Sequence, residues 1–521
     1  MQIRLFVLAF LLFFSTQAAF AQSGWVNDAK NLFTTNRMVI YALNVRSFNA
    51  EDTNGNDIVE PEIGEVSGNF INAAKRLDEI ARLGFNTVYL MPITKTGKLK
   101  ALGTAGSLYA MDSFDALSPL LHDKTDERNV FEQAKFFVSE AHKKGLRVIL
   151  DMPSCGSYDM SLEKPDLFLR NKNGEAIIPA DWTDVRLFKV YDGNELNREL
   201  VESYKKFINM ALELEVDGIR ADVAAIKPPE FWKEIIDYTR LRSPQFLFLA
   251  EAETSWGNPV KGQPYTSVEK LLEAGFDGYF GDYSTFSELT KARDFVKKIK
   301  TDEKIAKKFE GKGYGSKAVM ASFATHDQQS PMLHGNSNYW ETVLWLSLTM
   351  PLNTYFLDGF QTGDNYIYKY ENKPAEKSYT DDDVYFLHSG KFDIFNLSRK
   401  PGGNRGDLYE IFKNAMKFKV WSKDILQNGK MTILKTNQRN VFGYSRDFGN
   451  DSIIVVGNLD SKNSHAAIAQ VKGLNKKSFF SPIKINNNPT IKRGKLSTDL
   501  NPSEVQVYMF SRKKLRLQNK S

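Results

Sequence analysis

The chain has 521 residues, of which 42% are hydrophobic and 12% aromatic, and a formal net charge of +6 at pH 7. This length and composition exclude a disordered or fibrous protein and predict one large domain with a smaller one attached. The charge is small for the length, and no basic run is long enough to form a nucleic-acid groove, so nucleic acid is not an expected partner.

The N-terminus has the pattern of an export signal. Arg4 precedes the apolar run 5–14, and alanines at positions 19 and 21 predict that the signal peptide 1–21 is removed. No later window is long and apolar enough to span a bilayer. The single cysteine, Cys155, excludes an internal disulfide. The sequence therefore predicts an exported protein, periplasmic or secreted.

From residue 22 onward, short apolar runs rich in β-branched residues alternate with amphipathic helical stretches, which is the pattern of βα units around a parallel sheet. Eight runs are predicted as strands, at 38–44, 86–91, 146–151, 216–222, 246–251, 275–281, 318–324 and 353–357. The pattern predicts an α/β fold, a (β/α)8 TIM barrel over residues 22–429 with a short insertion, 153–192, after the third strand. In such a barrel the chemistry lies at the carboxyl ends of the strands.

The composition and the periodicity of the sequence change near residue 430. Short alternating runs at 442–445, 452–458 and 505–510 lie among Asn, Lys and Gly turns, with little helical periodicity. This pattern predicts a separate C-terminal all-β sandwich domain, residues 430–521.

Acidic residues, an arginine and a histidine occupy the predicted carboxyl ends of neighbouring barrel strands. They are Asp151, Arg220, Asp222, Glu251, His326 and Asp327. Because these strand ends meet at one rim, the side chains are expected to converge on one pocket. There, an Asp kept ionised by a neighbouring Arg has the properties of a nucleophilic carboxylate. A lone Arg-x-Asp pair is more often a structural salt bridge, so the prediction depends on the whole set.

The segments around these residues resemble the α-amylase family, glycoside hydrolase family 13. Four resemble the family's short conserved segments in the right order, VILD at 148–151, DGIRAD at 217–222, LAE at 249–251 and FATHD at 323–327. Further similar segments lie at 40–48, 106–114 and 500–505. The resemblance covers nearly the whole mature chain and implies the same barrel and β-sandwich.

The resemblance implies the catalytic roles of two carboxyl groups. Asp222 would be the nucleophile that attacks the anomeric carbon, with Arg220 keeping it ionised, and Glu251 would be the general acid and base. The apolar strand before Glu251 would raise the pKa of its carboxyl group and keep it protonated near neutrality. A separation of about 5 Å between the two carboxyl groups would imply retention of configuration.

The resemblance also implies residues that contact the sugar. Asp327 would be the third catalytic carboxylate and grip sugar hydroxyls, His326 would hydrogen-bond to the same sugar, and Tyr109 would stack on it. Asp151 is expected near the substrate, although it could serve only to cap the strand-to-loop turn. Glu253 is an alternative general acid, but it lies further past the strand end.

The chain departs from the family pattern beside three of the matched segments. Cys155 and Gly156 stand where the family usually has Asn-His, Ala225 and Ile226 stand where it has Lys-His, and Thr325 replaces an Asn. A sugar-contacting His and a calcium-ligating Asn are therefore missing from the pattern. Ordinary starch-hydrolase specificity is not implied.

Residues 222–232 and 249–252 instead resemble the maltosyltransferase branch of the family, which builds or rearranges α-1,4-glucan. Three functions stay open. The protein could be a retaining glycoside hydrolase acting on α-linked glucan or malto-oligosaccharide, an α-1,4-glucan transglycosylase or maltosyltransferase, or a catalytically weak glucan-binding protein. The intact carboxylates favour an enzyme. No obligate protein partner is evident.

A structural calcium site is predicted in the loop after the first strand. Oxygen ligands alternate there along the sequence, from Asp52, Asn54, Asn56, the carbonyl of Ile58 and Glu60, with a glycine for the bend. Some α-glucosidase-type relatives hold calcium with the same alternation. The alternative interpretation is an ordinary Asn- and Gly-rich surface loop.

Overall fold

The computed structural model describes residues 24–50, 53, 61–101, 107–179, 182–258, 265–311, 313, 315–328, 330–334, 337–363, 405–471, 474, 478–484 and 488–511. The predicted signal peptide 1–21 and the five predicted calcium ligands, Asp52, Asn54, Asn56, Ile58 and Glu60, lie outside the described residues. Within the described ranges, no helix combines the length and the hydropathy needed to cross a membrane.

Eight parallel strands form one sheet that curls into a barrel. Numbered along the chain, they are β1 Val39–Leu43, β2 Thr87–Leu90, β3 Arg147–Met152, β8 Gly218–Ala221, β9 Leu247–Ala250, β10 Gly278–Phe280, β11 Ala318–Met320 and β12 Thr354–Leu357. They pair in the order β11-β10-β9-β8-β3-β2-β1-β12. A parallel bridge between Met320 and Asn353 joins the two ends of this series. The predicted (β/α)8 barrel is confirmed.

Alternation along the strands determines which side chains point into the barrel. Ile149 of β3 and Leu249 of β9 belong to the inner apolar cluster, whereas Leu150 and Phe248 belong to the outer cluster that packs under the helices. A residue two positions further along a strand points to the same side of the sheet. The inward set therefore continues past Ile149 and Leu249 onto the rim, where the polar residues begin.

Helices surround the barrel and connect its strands. They span Ala29–Thr34, Val45–Phe48, Phe70–Ala74, Leu77–Arg82, Val130–Lys143, Tyr158–Glu163, Arg198–Glu213, Pro229–Arg240, Val268–Ala274, Ala292–Phe309, Ser337–Thr349, Gly406–Trp421 and Lys423–Asn428. The helix Val130–Lys143 shows how the sequence fixes the start of a helix. The side chain of Asn129 accepts hydrogen bonds from the N–H groups of Phe131 and Glu132, and Glu132 bonds back to the N–H of Asn129. This capping box satisfies N–H groups that the first turn leaves unpaired.

The insertion 153–192 folds against the carboxyl rim. It contributes β4 Cys155–Ser157, β5 Val185–Leu187 and β6 Tyr191–Asp192, and β7 Glu195–Leu196 follows it. β4 pairs antiparallel with β5, and β6 with β7. The described residues of the insertion therefore form a wall beside the barrel mouth.

Antiparallel sheets form the C-terminal part of the protein, as predicted. Their strands are β13 Lys430–Ile433, β14 Val441–Phe448, β15 Asp451–Asn458, β16 His465–Gln470, β17 Ser478–Phe480, β18 Thr490–Lys492, β19 Lys495–Leu500 and β20 Val505–Ser511. One sheet has the order β13-β14-β15-β20-β17 and the other β16-β19-β18, with an apolar cluster between them. The buried Arg446 joins this part to the barrel, because it donates to the carbonyl groups of Thr349 and Leu426.

Candidate active site

Arg220 is the centre of a buried ionic cluster at the carboxyl end of the barrel. It is 1% exposed, and its Nη1 donates to both oxygens of Asp151, at 2.8 and 2.9 Å, and to Oδ1 of Asp222 at 3.0 Å. Its Nη2 lies 2.6 Å from Oε1 of Glu251. Burying a charge is costly unless it is paired and hydrogen-bonded. One guanidinium group therefore holds together carboxyl groups carried by three adjacent strands.

Asp222 lies directly after β8 and is 9% exposed. Its Oδ2 accepts a 3.1 Å hydrogen bond from the backbone N–H of Ser154. Burial raises the pKa of Asp222, and Asp327 adds to that increase, whereas Arg220, the Ser154 N–H and Lys227 lower it. The surroundings thus include three groups that favour the ionised form.

Glu251 lies directly after β9 and is 6% exposed. Burial raises its pKa well above the usual range, and the negative charges of Asp222 and Asp327 raise it further, against the opposing effect of Arg220. The N–H of Val223 donates a 2.7 Å hydrogen bond to Oε2. A carboxyl group that keeps its proton near neutral pH can act as a general acid.

Val223 connects the two carboxyl groups through an unusual backbone conformation. Its φ of 35° and ψ of 52° place it in the left-handed region, which β-branched residues rarely adopt. Its N–H donates to Glu251, while the preceding residue is Asp222. Such strain is characteristic of functional sites. Sequence reasoning missed this residue, since nothing in the pattern marks a valine that must adopt a positive φ.

A cavity of about 570 Å³ opens above the cluster. Of the seven residues predicted for catalysis and sugar binding, five line the cavity, namely Tyr109, Asp222, Glu251, His326 and Asp327. The other two, Asp151 and Arg220, are buried beneath these residues and do not line the cavity. The structure therefore brings all seven together, in two layers.

One part of the cavity lining consists of Tyr109, His326 and Asp327. The hydroxyl of Tyr109 donates to Oδ2 of Asp151 at 2.7 Å and lies 2.6 Å from Nε2 of His326. The two rings are parallel within 5°, with centroids 5.8 Å apart. The side chain of Asp327, 36% exposed, lies 3.4 Å from the same His326 nitrogen. Asp327 is thus far more exposed than the buried His326 beside it.

Glu253 also lines the cavity. It is buried near Ser284 and Ser255, and burial raises its pKa to about 7. Its Oε2 makes no hydrogen bond within the described part of the chain. The ion pairs of Arg220 within the described residues are with Asp151, Asp222 and Glu251, and Glu253 is not one of them. The alternative acid of the sequence analysis therefore lies in the cavity but outside the shared ionic cluster.

Two of the departures from the family pattern, Cys155 and Ile226, lie together. Both belong to one apolar cluster, which also includes residues of β5. A Cβ atom at Gly156 would lie 2.6 Å from Cζ of Phe168 and 2.9 Å from Cζ of Phe188. A histidine cannot stand at position 156 without displacing these two rings. The packing of the insertion is therefore matched to a glycine at this position.

Five of the described residues that line the cavity carry carboxyl groups. They are Asp184, Asp222, Glu251, Glu253 and Asp327. No lysine or arginine lines the cavity among the residues that the structure describes. In the same ranges, no group of three or more His, Cys, Asp or Glu residues is arranged to hold a metal ion.

Comparison with solved structures agrees with the (β/α)8 barrel. The chain is similar to a noncanonic maltogenic α-amylase from Thermotoga neapolitana, with a TM-score of 0.65 and 20% identity, covering 92% of this chain and 100% of that one. It is also similar to an Anoxybacillus α-amylase, with a TM-score of 0.64 and 16% identity over 92% and 99% of the two chains. These likenesses show a shared fold. No protein-family model matches the chain.

Among curated proteins, the chain is similar to α-1,4-glucan:maltose-1-phosphate maltosyltransferases. The protein of Corynebacterium pseudotuberculosis is 23% identical over 442 residues, 82% of this chain and 60% of the relative. That of Mycolicibacterium smegmatis is 30% identical over 232 residues, 41% of this chain and 31% of the relative. The chain thus spans 60% or less of the length of these relatives. The resemblance to the α-amylase family, and in part to its maltosyltransferases, is confirmed.

Proposed function

We propose that the protein is a retaining enzyme that cleaves α-linked glucan or malto-oligosaccharide through a covalent glycosyl-enzyme intermediate. The bridging of Asp222 and Glu251 by the single guanidinium group of Arg220, at the floor of an open cavity, carries this proposal. Retaining glycosidases hold their two carboxyl groups about 5–5.5 Å apart, closer than inverting ones. Two carboxyl groups bound to one guanidinium are held close, which favours retention.

In the first step, a carboxylate oxygen of Asp222 attacks the anomeric carbon, and the bond from that carbon to the leaving oxygen breaks. Glu251 gives its proton to the leaving oxygen, which departs as an alcohol. The sugar is then esterified to Asp222, and Glu251 is ionised. Arg220 stabilises the negative charge on Glu251 at this stage, since the two are already paired at 2.6 Å.

In the second step, water or a sugar hydroxyl attacks the anomeric carbon. Glu251 takes the proton of the attacking group, and the bond to Asp222 breaks, which restores both residues. Attack by water gives hydrolysis, whereas attack by a sugar hydroxyl gives transfer. Asp327 is proposed to hydrogen-bond to sugar hydroxyls, because its side chain is exposed in the cavity. Tyr109 and His326 are proposed to form the wall against which the sugar packs.

The charge of the cavity favours an uncharged glucan as the donor. No lysine or arginine lines the described part of the cavity, so none of the described lining side chains offers a positive charge to the phosphate of a sugar phosphate. The maltosyltransferases similar to this chain are named for maltose 1-phosphate, an anionic sugar. We therefore infer that this protein uses neutral glucan rather than a sugar phosphate.

Transfer to a glucan acceptor is the second candidate reaction. It is supported by the similarity to maltosyltransferases and by the resemblance of residues 222–232 to that branch. Hydrolysis and transfer share the first step, so the residue roles above serve both.

Product analysis with maltoheptaose separates these reactions. Shorter sugars alone indicate hydrolysis, and longer sugars together with shorter ones indicate transfer. Unchanged maltoheptaose alongside measurable binding would contradict the enzyme proposal and support a glucan-binding protein. In a parallel incubation, maltose 1-phosphate with maltoheptaose should release no phosphate; rapid phosphate release would refute the neutral donor. The Asp222→Asn variant provides the blank for every reaction.

Calcium binding by residues 52–60 and export remain predictions from the sequence alone. If residues 52–60 bind calcium, dilute calcium should raise the melting temperature of the protein, and a chelator should lower it again. An unchanged melting temperature would remove the calcium prediction. Export predicts that the protein recovered from outside the cytoplasm begins at residue 22, which N-terminal sequencing checks.

A further inference from the structure

A buried lysine lies behind the proposed nucleophile. Lys227 is 1% exposed, and its Nζ donates a 2.8 Å hydrogen bond to the carbonyl group of Ser154. Four aromatic rings surround the ammonium group with centroids 5.0–6.0 Å away, those of Phe188, Tyr204, Phe231 and Trp232. Lysine is almost never fully buried unless it is paired, because desolvating its charge is costly. The two-step reaction described above gives this ammonium group no role.

Ser154 connects the ammonium group to Asp222. The N–H of Ser154 donates to Oδ2 of Asp222 at 3.1 Å, and its hydroxyl donates to the backbone carbonyl of Asp222. The peptide unit that carries this N–H is held as well, since the hydroxyl of Tyr204 donates to the carbonyl of Pro153 at 2.9 Å. Lys227 and Tyr204 thus fix two successive peptide units from behind. On its other side, this segment directs the N–H of Ser154 towards the proposed nucleophile, Asp222.

We propose that Lys227 is a positioning residue for the nucleophile. It fixes the Ser154 segment so that the N–H of Ser154 orients Oδ2 of Asp222, and its positive charge helps to keep Asp222 ionised. This inference rests on the proposed function, in which Asp222 attacks the anomeric carbon. Lys227 is not among the described residues that line the cavity, so it acts on the reaction through Ser154 and through its charge near Asp222.

The groups around Lys227 and Asp222 agree with this role. Burial lowers the pKa of Lys227 to about 8, so the side chain is mainly charged at neutral pH. Burial raises the pKa of the neighbouring Cys155 thiol to about 12, which keeps that thiol neutral. The titratable groups that act on Asp222, besides Lys227, are Arg220, Asp151, Glu251, Asp327, Cys155 and Tyr204. Asp222 is therefore the anionic partner that the Lys227 charge meets.

The test is the Lys227→Met variant, which keeps most of the side-chain volume and removes the charge and the hydrogen bond. We expect kcat on a malto-oligosaccharide to fall by about 10- to 100-fold, the size of effect that a displacement of about 1 Å produces. KM should change little. The acid limb of the pH profile of kcat/KM should move to higher pH, because Asp222 loses a cation and an oriented N–H donor.

Lys317 provides a matched control. It is also a buried lysine, its Nζ donates to the carbonyl of Phe276 at 2.6 Å, and burial lowers its pKa to about 8. It lies at the opposite end of the barrel, directly before β11. Lys317→Met should lower stability without moving the acid limb. An equal movement in both variants would show a general effect of losing a buried lysine and overturn the inference.

The Tyr204→Phe variant keeps the test decisive if Lys227→Met does not fold. It removes only the hydroxyl that holds Pro153, and it should move the acid limb in the same direction by less. Wild-type kcat and an unmoved acid limb in the folded variants would overturn the inference. A fully active Asp222→Asn variant would instead refute the proposed function, so the two failures are distinguishable.

Discussion

Both ends of the barrel bury clusters of charged residues, and among the residues that the structure describes it is the carboxyl-end cluster that borders the cavity of about 570 Å³. At the amino end, Asp277 precedes β10 and accepts hydrogen bonds from the N–H of Phe248 at 2.9 Å and from Nη2 of Arg240 at 2.7 Å. Asp217 precedes β8 and accepts in the same way from the N–H of Val148 at 2.8 Å. Each carboxylate there joins the start of its own strand to the neighbouring strand.

At the carboxyl end, Asp222 and Glu251 share one guanidinium group and retain a small exposed surface in the cavity. Each also accepts a hydrogen bond from a backbone N–H just past the neighbouring strand, as Asp217 and Asp277 do from within it. Burial and pairing alone therefore do not mark a reactive site. The difference lies in sharing one cation and in reaching a space that admits a ligand.

The largest expected effect comes from removing the two shared carboxyl groups. Asp222→Asn should lower turnover of maltoheptaose by about 10⁴-fold or more. Glu251→Gln should lower it by about 10²- to 10⁴-fold, with a smaller loss on an aryl glycoside whose leaving group needs no proton. Steady-state rates on both substrates check this, with unfolding curves to show that the variants fold. Substantial residual activity in both would refute the assigned roles.

The amino-end cluster should respond in stability and not in turnover. Asp277→Asn leaves the Arg240 charge without its partner, and breaking a buried pair costs about 3 kcal/mol. We expect the free energy of unfolding in urea to fall by that amount, with turnover per folded molecule unchanged. A selective loss of turnover would break the distinction between the two ends.

Glu253 tests whether reaching the cavity is sufficient without the shared guanidinium. Glu253→Gln should keep most of the turnover that Glu251→Gln loses. Because burial raises the pKa of Glu253 from 4.5 to about 7, the folded protein binds that proton more tightly than the unfolded chain. The unfolding free energy of the wild type should therefore fall between pH 4.5 and 7, by about 2–3 kcal/mol relative to the variant. Parallel stability curves for the two proteins would contradict this.

The smallest effect is expected at the exposed edge of the amino-end cluster. Lys30 lies 3.9 Å from Asp277 and its side chain is 32% exposed, so solvent screens the pair. Lys30→Met should change the free energy of unfolding by about 0.5 kcal/mol or less. A loss as large as that of Asp277→Asn would show that the cluster depends on every member.

The barrel was predictable because each of its strands is an apolar run buried on both faces. The fifth strand, predicted at 246–251, spans Leu247–Ala250 in the structure. The seventh was predicted too long, at 318–324, and it ends at Met320. There the chain leaves the sheet, and the hydroxyl of Ser322 donates to the carbonyl of Gly281. Apolar composition continues past this point, so periodicity alone does not show the end.

The site was predictable where strand alternation applies, as at Asp151 and Glu251, and not where it depends on contacts distant in sequence. Lys227 lies 73 residues from Ser154, and nothing in the local pattern shows that they meet. The pairing of β4 with β5 likewise joins residues that are distant in sequence. Val223 escaped prediction because the contact that accompanies its conformation, from its N–H to Glu251, spans 28 residues.

The close approach of two rings to Gly156 also limits how this wall can change over evolution or in the laboratory. Adding a side chain at Gly156 requires Phe168 and Phe188 to move or to be replaced by smaller residues, and replacing them alone leaves a void against a glycine. Both single steps lower stability, so the intermediates are handicapped in either order. The wall seen here and one bearing a histidine are therefore two separate solutions, and moving between them requires simultaneous exchanges.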